Sequence, residues 1–117
     1  MKVAELRPYA KKVDLIVKVV SSGEAREVVS RLENAQHKVA EALVGDDTGC
    51  VLLTLWDDAI EKFETEKTYK IENAYCSFFK NSLRLNIGRY GEFEESSEEI
   101  KEVNKENNLS EKELTEK

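Results

Sequence analysis

Flat aromatic rings and fixed positive charges occur together in one stretch of this chain, where Phe78 and Phe79 run directly into Lys80, with Arg84 and Arg89 close behind. A lone tryptophan, Trp56, closes an apolar run about twenty residues earlier. The chemistry these side chains offer is non-covalent: a π face on which any planar ring can stack, and cations for an anionic backbone passing alongside. A tryptophan in a strand is more commonly core than platform, so its face decides. Alternation puts Val51, Leu53 and Leu55 on one side and Leu52, Thr54 and Trp56 on the other, which turns Trp56 outward. Strict alternation would group Tyr75 with the core-like Ile71, so an outward Tyr75 needs a bulge near Asn73 and Ala74. Phe78 and Phe79 are neighbours and cannot both enter one core; spacing alone does not say which is exposed.

Covalent chemistry finds little to work with. His37, the single histidine, stands beside a polar hairpin without metal-ligand spacing and reads as a surface residue. Asp46-Asp47 and Asp57-Asp58 are accounted for by a turn and a helix start. Gly45 and Gly49 frame a short hairpin rather than a phosphate-cradling loop. Cys50 and Cys76 lie far apart inside apolar strand-like segments, as reduced structural thiols do. The chain is therefore expected not to be an enzyme and to need no cofactor or metal.

The elements that must hold these residues are mostly strands. Val13, Leu15, Val17 and Val19 alternate in a first strand that bends at Gly23 and resumes over Arg26 to Ser30. Leu32 to Gln36 reads as a hairpin loop, Lys38 to Val44 as strand two, and Gly45-Asp46-Asp47-Thr48-Gly49 as a tight turn into strand three, Cys50 to Trp56. Asp57 to Phe63 predicts one or two helical turns. Strand four is expected from Thr68 to Tyr75, a polar aromatic loop over Cys76 to Ser82, and strand five over Leu83 to Ile87. Five short strands, a helix between the third and fourth, and a long bent first strand match an all-β, partly open Greek-key barrel, the OB-fold, a pattern that other small β-barrels share.

Charge divides the chain at residue 91. Residues 1–91 hold 14 Lys and Arg and 14 Asp and Glu, whereas residues 92–117 hold 4 and 10, which is the whole of the net −6. The expected organisation is a barrel domain at 1–91 and a flexible acidic tail at 92–117, too poor in apolar residues to bury itself. No apolar run is long enough to span a bilayer and the first residues lack the pattern of a signal peptide, so an intracellular, cytoplasmic protein is expected.

Two blocks carry the reading further: EALVGDDTGCVLLTLW at 41–56 and KIENAYCSFFKNSLRLNIG at 70–88. Together they resemble the archaeal single-stranded DNA-binding proteins built on one OB-fold, relatives of the sensor-of-single-stranded-DNA B subunits and of replication protein A. The likeness spans roughly residues 5 to 89. It implies sequence-tolerant binding of single strands in replication, recombination or repair, with bases stacked on Trp56, Tyr75 and Phe79. It also implies that Arg26 lies near the strand and that Lys80 and Arg84 lie along its phosphates.

Departures accompany the likeness. Tyr75 stands where tryptophan is frequent, the loop between strands one and two is longer, Leu52 occupies the binding face, and a Gly- and Arg-rich tail is absent. Two alternatives stay open on the residues: a single-stranded RNA binder, since stacking does not inspect the sugar, and an OB-fold protein-interaction module. Protein partners are expected through the acidic tail.

Overall fold

The alternation of the first strand is realised in β1 (Val13–Ser22), where Val13, Leu15, Val17 and Val19 are buried and Asp14 faces solvent. The chain then kinks at Gly23 and continues as β2 (Arg26–Ser30), which forms a hairpin with β3 (Ala35–Asp46). The computed structural model describes residues 1–30, 35–79, 82–87 and 91–111, excluding the side chains of Ser30, Ala35 and Phe79. β4 (Gly49–Trp56), the short helix α1 (Ala59–Lys62), β5 (Thr68–Phe79), β6 (Ser82–Asn86) and β7 (Glu92–Glu95) complete the order.

Pairing runs β1-β3-β4-β6-β5 and returns to β1, so five strands close into a barrel, with β4 and β6 parallel and the remaining pairs antiparallel. This is the expected barrel, with α1 between the third and fourth of its strands. Inside it Leu53, Leu55, Ile71, Leu83 and Leu85 meet the valines of β1. Burying each such side chain is worth about 1.5–3 kcal/mol in transfer free energy. The β3–β4 turn requires glycine at Gly45, where a Cβ would come within 2.5 Å of the Gly49 carbonyl oxygen.

Three boundaries differ from the expectations. β3 begins at Ala35, inside the segment read as loop. β5 continues through Cys76, Ser77, Phe78 and Phe79 in register with β6, so the aromatic segment is mostly strand. Cys76 is buried and Leu83 lies opposite Phe78; this apolar pairing is what extends the strand.

The third difference concerns the expected flexible tail and the boundary at residue 91. β7 pairs with β5, and Phe93 stacks against Phe63 with ring centroids 4.5 Å apart. Farther on, Leu109 is buried, its N–H donates to the Cys50 carbonyl (2.8 Å), and the Asn107 carbonyl accepts from Cys50 N (3.0 Å). The Ser110 hydroxyl accepts from Leu52 N (2.8 Å) and donates to the Leu83 carbonyl, bridging β4 and β6. Residues 92–111 are thus laid on the barrel. A few widely spaced apolar residues and backbone hydrogen bonds anchor them, while Glu98, Glu99, Glu102 and Glu106 face solvent. Residues 112–117 lie outside the described residues.

Candidate nucleic-acid interface

The outward positions of β3, β4, β6 and β5 form one continuous face. Register places Val39 opposite Trp56 and Glu41 opposite Thr54, then Thr54 opposite Asn86 and Leu52 opposite Arg84, and finally Asn86 opposite Tyr75 and Arg84 opposite Ser77. Trp56 and Tyr75 are 49% and 41% exposed, unusual values for large rings on a sheet. Between them opens a cleft of about 450 Å³ lined by Thr54, Trp56, Tyr75, Asn86, Ile87 and Phe93.

Each ring is aimed by local backbone chemistry. Trp56 ends β4, and Asp57 follows it with a φ of 49°, a left-handed conformation that Asp tolerates better than most residues. The Asp57 carboxylate accepts from Lys38 N (2.9 Å) and pairs with His37 Nδ1 (2.8 Å), while Asp57 N donates to the Lys38 carbonyl (2.9 Å). The Lys38 N–H and then His37 hold this carboxyl below the usual range. His37 also meets Trp56 edge-on, at 6.4 Å and 84°. It is partly exposed, as expected, but it also braces the Trp56 corner, a role that its sequence position did not disclose.

Tyr75 is turned out by an irregularity at the expected place. Asn73 adopts a φ of 56°, its N–H donates to Asp14 Oδ1 (2.8 Å), and the β1–β5 register shifts between Val13 and Leu15. Beyond that bulge Ala74 is buried and Tyr75 is exposed. Phe79 stands opposite Ser82 in the backbone ladder; its side chain, like all of Lys80 and Arg89, lies outside the described residues.

Arg84 shares the face but is already engaged. Its Nε donates to the Ser82 hydroxyl (3.0 Å) and its Nη1 is paired with the Glu41 carboxylate. Burial and then the nearby Arg26 charge lower its pKa. Arg26, exposed on β2 opposite Val39, therefore belongs to the same neighbourhood. The face thus gathers Trp56, Tyr75, Arg84 and Arg26, and adds Glu41, Thr54, Asn86 and Phe93, which the sequence reading did not single out. Pairing Glu41 with Thr54 across the β3–β4 turn would have found the first. Asn86 is held by donating to the Ser77 hydroxyl (2.8 Å).

The arrangement can stack planar rings in the cleft and offers polar edges between them. Among the described residues no cluster of His, Cys, Asp and Glu could hold a metal ion, and no helix is long and apolar enough to cross a membrane.

Known proteins share this architecture. The family model described as "Single-stranded DNA binding protein Ssb-like, OB fold" matches residues 6–95. The single-stranded DNA binding protein Ssb of Saccharolobus solfataricus is 37% identical over 98 residues, covering 84% of this chain and 65% of that protein, so the chain spans just under two thirds of this relative. The solution structure of a hypothetical protein from Arabidopsis thaliana superposes with a TM-score of 0.83 at 28% identity, over 100% of this chain and 86% of the other. A chain of a replication protein A heterotrimer bound to single-stranded DNA superposes with a TM-score of 0.69 at 20% identity, over 89% of this chain and 27% of that one, a likeness of fold.

Proposed function

The chain belongs to the Ssb-like single-stranded DNA binding proteins with an OB fold, and on that premise we propose that it binds single-stranded DNA by stacking bases on Trp56 and Tyr75, with Phe79 as a third platform. The observation that carries the reading is the cleft itself, flanked by two half-exposed rings that backbone features aim outward. Stacking on aromatic side chains tolerates any base, which suits a protein that covers single strands wherever replication, recombination or repair exposes them. Lys80 and Arg26 are the cations proposed to follow the phosphates, while Arg84, already paired with Glu41, stands beside that path. No catalytic step is part of this proposal. A protein partner of the acidic segment would meet the exposed Glu98, Glu99, Glu102 and Glu106.

A second reading, a docking face for a protein, is favoured by Leu43 and Leu52, which pair on this face and stay only partly buried. Fluorescence of Trp56, the only tryptophan, separates the two. Oligo-dT should quench it strongly, while duplex DNA of equal charge binds far more weakly, because paired bases cannot leave their own stack. Equal affinity for duplex would refute stacking, and tighter binding of a matched RNA would change the ligand while keeping the mechanism.

A further inference from the structure

The binding face contains a carboxylate where a phosphate binder would be expected to present only cations. Glu41 lies beside Thr54 in the middle of the face, and its carboxylate is paired with the Arg84 guanidinium, both side chains largely withdrawn from water at 31% and 20% exposure. An arginine remains charged under all ordinary conditions, so the pair is electrically neutral, and among the described residues Arg26 is the cation next to it. Ser82 holds Nε of the same guanidinium, so Arg84 cannot swing away from Glu41 without losing two partners.

We infer that Glu41 is a specificity-determining residue: by occupying Arg84 it keeps the face from holding phosphates alone, so that only ligands able to stack bases on Trp56 and Tyr75 bind well. The inference rests on the stacking function proposed above. A polyanion gains from this face in proportion to its free cations, because affinity and salt dependence both follow the number of phosphates neutralised. An approaching phosphate meets Arg84 and Glu41 together, and attraction and repulsion from two adjacent opposite charges nearly cancel. Stacking is indifferent to that cancellation. Neutralising the carboxylate would therefore help duplex DNA and heparin, which rely on charge, more than it helps oligo-dT.

The test is a charge cycle of wild type, Glu41→Gln, Arg84→Gln and the double variant, titrated with oligo-dT, duplex DNA and heparin across a salt series. Amide NMR dispersion would report that each variant keeps the barrel. Glu41→Gln should bind oligo-dT several-fold more tightly, with a log–log salt slope steeper by about 0.7, the value for one added phosphate contact on a single strand. Duplex and heparin should gain more, so that selectivity for the single strand falls. Arg84→Gln should weaken oligo-dT binding by exposing the bare carboxylate to the strand, and adding Glu41→Gln should restore the wild-type affinity and slope. An unchanged slope or weaker binding in Glu41→Gln, or an Arg84→Gln defect that the second substitution does not repair, would overturn the inference and make Glu41 a support for Arg84. A wild type that ignores oligo-dT would instead overturn the stacking function, and the heparin comparison would still decide whether Glu41 withholds Arg84 from anions.

Discussion

Trp56 and Tyr75 owe their positions to their neighbours' backbone, not to burial of their own rings, so removing the rings should separate binding from folding. Trp56→Ala and Tyr75→Ala are each expected to cost about 1–3 kcal/mol in single-strand binding, measured by titration with a dye-labelled oligo-dT. The urea midpoint should move little in either variant. At this scale the sequence was most informative where alternation was clean: Val51, Leu53 and Leu55 enter the core and Trp56 faces out, as their order requires. Tyr75 was legible only on condition of a bulge, and Asn73 supplies it. Arg84 was legible as a residue of the face but not as a paired one, because its partner Glu41 is 43 positions away and meets it only through the order β3-β4-β6.

Among elements, the closed ring of five strands and the helix after β4 followed from hydrophobic periodicity, whereas β7 and the strap beyond it did not. Composition averages over a window, and the run from Glu92 to Glu99 averages to a solvated segment. Phe93 and Leu109 escape that average because each is placed against the barrel by a few backbone hydrogen bonds. Leu109 packs in the core cluster, so Leu109→Ala should destabilise the protein by about 2–3 kcal/mol, the lower part of the range for a buried leucine. Urea unfolding would register the loss. Truncation after Gly91 should cost more, since it also removes Phe93 from the cleft wall and Ser110 from the β4–β6 seam. A truncated barrel as stable as the full chain would show that the strap contributes nothing to the fold.

For the molecule as a whole, its two buried thiols give a reading of integrity. Cys50 and Cys76 are free and buried, and burial pushes the Cys76 thiol up to about 11 from an ordinary 9.0. The native state thus favours the neutral thiol. That stabilisation is complete below pH 9, falls as pH rises toward 11, and is lost above it. At pH 10.5 Cys76 alone should account for about 2 kcal/mol of lost stability relative to pH 8. Comparing urea midpoints of wild type and Cys76→Ala at the two pH values would isolate this part, and a loss of equal size in both would assign it to other groups.

The β3–β4 turn has a mechanical side. The Asp46 carboxylate accepts from Val3 N (3.0 Å) and from Thr48, and its carbonyl accepts from Asn104 N (2.9 Å). Segments from near both ends of the chain are therefore riveted to one corner of the barrel, at the start of β4, while Trp56 stands at that strand's far end. Tension applied through the N-terminal segment would load this rivet first, whereas tension from the C-terminal side would first load Leu109 and Ser110, whose bonds sit on β4 and β6. On the N-terminal side the cleft between Trp56 and Tyr75 lies outside that line of force, so the corner would give way before the aromatic face is disturbed.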